Sequence, residues 1–449
     1  MNKLNEFKQE IKGKVIAVIG VGVSNIPAID YLYNLGANIF AYDKCDNGYR
    51  NNNINIYYGS DYLDKICDCD YILRSPGIKP FTPVIEKKVK QGAILTSEIE
   101  LLVKFAPCKI IAVTGSDGKT TTTTLISEIL KQGGYKVYLG GNIGMPLFNK
   151  LDEIKESDYL VLELSSFQLM TFKEHIDISV ITNISENHLD YHRSFEEYYN
   201  AKANIFLNSN NSTIILNKDD NYTKYFESLN KYNKIRYFSV ENIYDNCVYL
   251  NNNNIVINCE YKKVICDIDK IKLMGIHNIA NICAAISAVY DLVDINTIIN
   301  CITNFNGVEH RMELFTNIND VNWYNDSIGT TPARTIAGLK AFNNKIILIA
   351  GGYDKNISYD SIGKYIVDHV KLLILLGDTA DKIKKSVLDI DKDFNLVKLD
   401  NLEECVSYAY KHAVKNDSVV LSPASASFDL YKNFEERGNL FKNLVLNLK

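Results

Sequence analysis

The run Lys109-Ile-Ile-Ala-Val113 passes without a break into Thr114-Gly-Ser-Asp-Gly-Lys-Thr-Thr121, and a segment rich in Thr, Leu and Ile follows. An apolar strand that ends in a glycine-bracketed lysine and then opens a helix is a strand, loop and helix unit of a parallel α/β sheet. That unit is also suited to an anion. Backbone N–H groups of the turn converge, the helix N-terminus adds partial positive charge, Lys119 can reach the outer phosphates of a nucleotide, and the Thr120 hydroxyl can ligate Mg2+. Thr114, Gly115, Ser116, Asp117, Gly118, Lys119, Thr120 and Thr121 are the candidate ATP contacts. The common phosphate-loop pattern would need its first glycine at position 113, where Val113 stands, so the loop is a shorter variant. A plain glycine turn is the competing reading.

Strand and helix signals alternate along the rest of the chain in three blocks, and 449 residues are too many for one core. The first block, 1–97, holds Lys14-Val-Ile-Ala-Val-Ile19 followed by Gly20-Val-Gly22, then Asn38-Ile-Phe-Ala-Tyr42 ending at Asp43, then Tyr71-Ile-Leu73 ending at Arg74-Ser-Pro-Gly77. The second, 98–303, holds the phosphate loop and the runs Asp158-Tyr-Leu-Val-Leu-Glu163 and Ile178-Ser-Val-Ile-Thr-Asn183, with an Asn-, Lys- and Tyr-rich stretch at 208–262 that reads as short strands and polar turns. The third, 304–449, holds Lys345-Ile-Ile-Leu-Ile-Ala350, Leu372-Leu-Ile-Leu-Leu376 and Ser418-Val-Val-Leu421. The predicted architecture is α/β with three domains: a Rossmann-like N-terminal domain, a central P-loop mononucleotide-binding domain and a Rossmann-like C-terminal domain. Ligands are expected at the carboxyl ends of the strands.

A formal net charge of −5 argues against a broad nucleic-acid surface. Ten cysteines are scattered; Cys67-Asp-Cys69 is the only close pair and lacks the spacing of a zinc site, which reads as reduced, mostly structural thiols. No stretch nears the ~18 apolar residues of a membrane span, and the first ten residues have no apolar core for a signal. The expectation is a soluble cytoplasmic protein.

Several further groupings bear on chemistry. Gly20-Val-Gly22 with Asp43 about twenty residues on imitates a dinucleotide fingerprint, but Asn25 replaces its third glycine. Glu163 ends an apolar strand, where a carboxylate can reach a phosphate-bound Mg2+; its bland alternative is a helix cap. His188, just past another strand, is by itself more often structural than a ligand, and Lys202, in Ala201-Lys-Ala203, is on physical grounds one more solvated lysine. Asn278 and Asn281, three apart at the start of a helix, share a face from which two amides can read a polar edge such as adenine. Arg311 and Asp326 offer contacts to phosphate and ribose.

Thr114-Gly-Ser-Asp-Gly-Lys-Thr120, Glu163-Leu-Ser-Ser-Phe-Gln168, Asn187-His188, Gly275-x-His-Asn-x-x-Asn281, Glu309-His-Arg311 and Leu421-Ser-Pro-Ala-Ser-Ala-Ser-Phe-Asp429 occur in this order. The arrangement resembles the Mur ligases, most nearly their D-glutamate-adding branch, over essentially the whole chain. The resemblance implies that 1–97 binds a UDP sugar, 98–303 binds ATP and Mg2+, and 304–449 binds the incoming amino acid. It further implies amide formation between UDP-N-acetylmuramoyl-L-alanine and D-glutamate through an acyl phosphate, by a monomer. Val23, Ser24, Asp43, Lys44, Ser75, Gly77 and Asn142 match the UDP-substrate positions. Thr120 and Glu163 match one metal position, while His188 and Lys202 match a second, Lys202 at a lysine the family carries as a carbamate. Thr330, Lys355, Ser427, Phe428 and Phe434 correspond to the amino-acid site. Many relatives have lysine after Asp-Ser, whereas here Ile328 follows Asp326-Ser327, which leaves that lysine's role without a bearer. The rivals are a sibling Mur ligase or a folylpolyglutamate-synthase-like ligase, a nucleotide-dependent switch that binds a partner without ligation, and a dehydrogenase.

Overall fold

The computed structural model describes residues 3–22, 24–187, 191–273, 275–354, 357–428 and 430–448, which form a mixed α/β protein with three sheets. The first sheet contains β1 (Val15–Ile19), β2 (Asn38–Asp43), β3 (Asn55–Tyr58), β4 (Tyr71–Arg74) and β5 (Ile94–Thr96), in the order β3-β2-β1-β4-β5. All its pairings are parallel. The central strands β1 and β4 are buried almost throughout, which is why they read as unbroken apolar runs in place of an alternating pattern. The winding reverses between β1 and β4, and a crevice opens at their carboxyl ends in such sheets. There the turns after the two strands come so close that a Cβ on Gly20 would lie 2.5 Å from the Ser75 Cβ, so only glycine fits.

The second sheet contains β6 (Lys109–Thr114), β7 (Val137–Gly141), β8 (Tyr159–Glu163), β9 (Ile178–Ile181), β10 (Thr213–Asn217), β11 (Lys234–Ser239), β12 (Cys247–Asn251), β13 (Asn254–Asn258) and β14 (Lys262–Asp267), in the order β14-β13-β12-β11-β10-β9-β6-β8-β7. The strands from β7 to β12 in that row pair in parallel, placing the loop strand β6 between β8 and β9. β13 and β14 extend the sheet antiparallel. The Asn-rich stretch thus forms strands and tight turns, and Asn252 takes the left-handed conformation, φ 50°, that asparagine tolerates.

The third sheet contains β15 (Glu313–Ile318), β16 (Val321–Asn325), β17 (Ile346–Gly351), β18 (Val370–Leu376), β19 (Leu396–Lys398) and β20 (Ser418–Leu421), in the order β15-β16-β20-β17-β18-β19. Only β15 runs antiparallel to its neighbour. Buried apolar side chains cover both faces of this sheet. All ten cysteines are free thiols, and among the described residues no helix is long and apolar enough to cross a membrane.

The chain divides into two compact units, one made of Met1–Ile271 and Ile276–Asn304, the other of Lys272–Gly275 and Phe305–Lys449. Within the first unit, helix Glu98–Phe105 joins the first two sheets. Ser97 caps it, accepting from Glu100 N–H, and Leu102 and Phe105 enter a core shared with Leu73 of the first sheet and Ile110 of the second. The Arg74 guanidinium, buried at 1 % exposure, crosses between the same parts: it donates to the carbonyls of Ile78 (2.6 Å) and Phe167 (3.0 Å).

Glu98 and Glu100 are both buried on this helix, and burial pushes each carboxyl up to about 7; the Phe148 N–H at Glu98, and the Ser97 hydroxyl and Arg74 at Glu100, only partly oppose it. The folded state therefore keeps protons that the unfolded chain releases above its ordinary carboxyl range, so stability falls as pH rises through about 4.5 to 7. The effect is on the order of 3 kcal/mol per group. Denaturant unfolding at pH 5 and pH 8 is expected to show Glu98→Gln less pH-sensitive than the wild type and relatively more stable at pH 8. An unchanged difference between the two pH values would remove Glu98 as a source.

Candidate functional site

The phosphate-type loop follows β6 and leads into helix Lys119–Gln132, whose N-cap is Gly118. Its shape is fixed from the strand beside it. Ser116 N–H donates to Asn183 O (2.8 Å), Asp117 N–H to Asn183 Oδ1 (2.9 Å), and the Thr182 hydroxyl to Asp117 O (2.6 Å). Gly115 has φ 146°, and a Cβ there would run into the Thr182 hydroxyl. The Ser116 hydroxyl lies 2.8 Å from the Tyr198 hydroxyl. Lys119 folds back over the loop and donates to Gly115 O (2.9 Å) and Ser116 O (2.8 Å), so its ammonium is stationed above the turn. Thr120 and Thr121 begin the helix; Thr114 donates its hydroxyl to Leu164 O (2.7 Å).

Lys202 corrects the expectation of a solvated lysine. Helix Phe195–Leu207 buries Tyr198, Ala201, Ala203, Ile205 and Phe206, and Lys202 is only 1 % exposed. Its Nζ donates to Gly115 O (2.7 Å) and lies 4.6 Å from the centre of the Tyr198 ring. Burial first, then repulsion from Lys119, holds this amine well below the usual lysine range. Glu163 is not a helix cap: it is the last residue of β8, 2 % exposed, and Ser165 caps the next short helix. Its Oε1 accepts from Asn142 Nδ2 (2.8 Å), while Oε2 has no hydrogen-bond partner among the described residues. A buried carboxylate oxygen without a donor is a costly arrangement unless a cation completes it. Beside a phosphate-type loop, with the Thr120 hydroxyl at the helix start, this donor set fits a hard oxygen-seeking ion such as Mg2+.

Asn281 and Asn278 lie on one face as their spacing predicted: Asn281 Nδ2 donates to Asn278 Oδ1 (3.3 Å), and Thr122 of the loop helix donates to Asn281 Oδ1 (3.5 Å). The pair therefore stands next to the phosphate loop's helix.

In the first sheet, Asp43 is less free than a ribose-binding acid would be. Oδ2 accepts from Val21 N–H (2.7 Å) and Oδ1 from Cys45 N–H (3.1 Å), so the carboxylate shapes the glycine turn. Ser24 precedes helix Asn25–Asn34, Lys44 is exposed just past β2, and Ser75 and Gly77 follow β4. Ser24 and Asn142 meet in one cavity of about 180 Å3, lined also by Glu98, Leu102, Pro146 and Leu147. Val23, His188 and Lys355 lie outside the described residues.

In the second unit, Asp326 follows β16 and is buried. Its Oδ2 accepts from the Ser422 hydroxyl (2.6 Å) and Oδ1 from Met312 N–H (3.2 Å); burial nevertheless pushes the carboxyl up to about 6. Arg311 is partly exposed, at the turn before β15. Thr330 N–H donates to Ile328 O (2.8 Å) in the loop after Asp326. Ser427 is buried, Phe428 is 62 % exposed, and Phe434 opens helix Phe434–Leu446, its carbonyl accepting from the Ser327 hydroxyl (2.7 Å).

Sequence reasoning missed the residue that gathers these segments. Arg437, 2 % exposed, donates Nε–H to Ser327 Oγ (3.0 Å), Nη1–H to Ala426 O (2.9 Å), and Nη2–H to Ser327 O (2.9 Å) and Ser425 O (3.2 Å). The available signal was Asn433-Phe-Glu-Glu-Arg-Gly438, one of the stretches most specific to the resemblance, in which the arginine was given no role. A lysine cannot reproduce the planar fork. Arg437→Lys is expected to cost on the order of 3 kcal/mol in unfolding free energy through carbonyls left unpaired. A thermal midpoint equal to the wild type would show that the loops hold without it.

Family models described as "Mur ligase middle domain" and "Mur ligase, glutamate ligase domain" match residues 113–289 and 310–425. A UDP-N-acetylmuramoylalanine–D-glutamate ligase of Ruminiclostridium cellulolyticum is 46 % identical over 463 residues, covering 100 % of both chains. One of the same description from Clostridium tetani is 44 % identical over 462 residues, again with 100 % of both covered. Among solved structures, a UDP-N-acetylmuramate–alanine ligase of Thermotoga maritima shares the fold with a TM-score of 0.59 at 17 % identity, covering 97 % of this chain and 100 % of its own.

Proposed function

Because the chain belongs to the Mur ligase family, we propose that it is an ATP-dependent ligase that joins D-glutamate to UDP-N-acetylmuramoyl-L-alanine in cytoplasmic peptidoglycan precursor synthesis. The observation that carries this reading is full-length identity of 44–46 % to ligases described by that reaction. The buried, cation-ready Glu163 beside the lysine-bearing loop supports it.

In this reading residues 1–97 hold the UDP sugar, 98–303 the ATP and 304–449 the amino acid, in a monomer. The L-alanyl carboxylate oxygen attacks the γ-phosphorus of ATP, and ADP leaves with the bonding pair. The amine of D-glutamate then attacks the acyl carbon, inorganic phosphate departs from the tetrahedral intermediate, and the amine's extra proton is lost to solvent. Phosphoryl transfer has little covalent work for a protein to do, so positioning and charge dominate. Lys119 supplies a cation at the outer phosphates, and the N–H groups of Gly118–Thr120 at the helix start supply fixed dipoles. Asn278, Asn281, Arg311 and Asp326 take the adenosine and phosphate edges. A magnesium ion bound on the triphosphate would neutralise charge as the phosphoryl group moves; Thr120 and Glu163 would hold it, with His188 and Lys202 at a second position.

Lys202 becomes an anionic oxygen donor if its neutral amine adds CO2, forming an N–C bond and releasing one proton, and the carbamate nitrogen keeps an N–H for Gly115 O. For the amino acid, Ser427, the Phe428 backbone, Thr330 and Lys355 would hold two carboxylates by charge-assisted hydrogen bonds, and Phe434 would close the apolar side. Ser24, Asp43, Lys44, Ser75, Gly77, Val23 and Asn142 would take the UDP sugar.

The test is phosphate release with ATP, Mg2+ and UDP-N-acetylmuramoyl-L-alanine, supplied with one amino acid at a time. D-Glutamate is expected to support turnover, and L-glutamate, L-lysine and diaminopimelate are not. Equal use of L-lysine or diaminopimelate would move the chain to a sibling activity, and release indifferent to every amino acid would favour a nucleotide switch.

A further inference from the structure

Asn142 stands at two sites at once. It follows β7, whose last residue Gly141 is paired with Glu163 at the end of β8. Its backbone N–H donates to Glu163 O (2.8 Å), which fixes the residue's place whatever its side chain. Its side-chain Nδ2 donates to Glu163 Oε1 (2.8 Å), and the same residue lines the 180 Å3 cavity with Ser24, Glu98 and Leu102. With Nδ2 committed to the carboxylate, the amide oxygen Oδ1 is the group left to accept from a ligand in the cavity. Glu163 is buried, and its second oxygen has no donor among the described residues. The carboxylate's orientation therefore depends on the amide that grips its first oxygen.

We propose that Asn142 is a positioning residue that couples the two sites: a ligand donating an O–H or N–H to Oδ1 tightens the hold of Nδ2 on Glu163, and so readies Oε2 for a divalent cation. This rests on the reading of the cavity as the sugar-nucleotide place and of Glu163 as a cation ligand. The physical link is polarisation. A donor to the oxygen of an amide makes its N–H a stronger donor; Asn142 is itself exposed, so the link operates once a ligand in the cavity shields the amide from water. The ligand class follows: a sugar hydroxyl or a base N–H qualifies, and an oxyanion without a proton does not. Coupling of this kind is reciprocal, so the cation must strengthen binding in the cavity by the same factor as the cavity ligand strengthens the cation.

The experiment is equilibrium calorimetry on the full chain. The dissociation constant of UDP-N-acetylmuramoyl-L-alanine is measured with a non-hydrolysable ATP analogue present, with and without Mg2+, in the wild type, Asn142→Ala and Asn142→Asp. The wild type is expected to bind the sugar nucleotide about fivefold or more tightly when Mg2+ is present. Both variants are expected to bring that factor close to one. Asn142→Ala keeps the backbone bond to Glu163, and a thermal midpoint near that of the wild type establishes that it folds. Merely structural Asn142 would lower each affinity and leave the factor intact, which overturns the proposal, as does a wild-type factor of one. Tight but uncoupled binding overturns this inference alone, whereas no binding of the sugar nucleotide to the wild type overturns the functional reading and this inference with it.

Discussion

Lys119→Ala is expected to lower phosphate release on the order of 10^3-fold while the protein stays folded. The two halves of that result have separate causes. In the structure the ammonium donates to the carbonyls of Gly115 and Ser116, and the loop is also shaped by Asn183, Thr182 and the Ser116–Tyr198 contact. Its loss should therefore shift stability by no more than about 1 kcal/mol, the range of substitutions that break no buried network. During turnover the same ammonium would face the charge that develops on the transferred group, in a site where fixed charges act at low dielectric. Removing one preorganised donor from such a site commonly costs 10^2 to 10^3 in rate, and a full cation is worth at least the upper end. Because the lost interaction strengthens in the transition state, kcat is expected to fall more than the KM for ATP rises. A folded variant with unchanged phosphate release would sink the assignment of this loop to ATP.

What the sequence disclosed follows from which features are local. Parallel strands buried on both faces must be short apolar runs that stop at a turn, so β1, β6, β8, β17 and β18 could be placed from composition along the line. The glycine-bracketed lysine is local too, and Asn278 with Asn281 needed only the helical repeat. The surroundings of a side chain are not local. Ser116 meets Tyr198 across 82 residues, and Arg437 meets Ser327 across 110. Lys202 falls on the same helical face as Tyr198, Ala201, Ile205 and Phe206, so the repeat did mark it as interior, and reading it as solvated weighed its charge over its position. Asp43 is a second case: its place at the end of β2 was legible, but the Val21 and Cys45 N–H groups that its oxygens accept from were not.

The resemblance gave a reason to doubt the solvated Lys202, and its burial turns that doubt into a measurable expectation. A lysine ammonium sealed at 1 % exposure beside the Lys119 charge is disfavoured, and the amine is held toward its neutral form. If its work were only to grip Gly115 O, a long apolar side chain would cost one hydrogen bond, about 1 kcal/mol, and relieve the burial of a potential charge. If it works as a carbamate, the same change removes an anionic ligand from the second cation position. Lys202→Met is thus expected to lower phosphate release by about 10^2-fold or more, a loss of the size seen when an electrostatic group at the reacting centre is removed, with a thermal midpoint close to the wild type. The discriminating measurement is carbon NMR of the Mg2+- and nucleotide-loaded enzyme equilibrated with 13C-labelled bicarbonate. One carbamate carbonyl signal is expected in the wild type and none in Lys202→Met. A loaded wild type with no such signal, or a high-resolution map showing a bare ammonium at 202, would return Lys202 to the structural role of tying its helix to the phosphate loop.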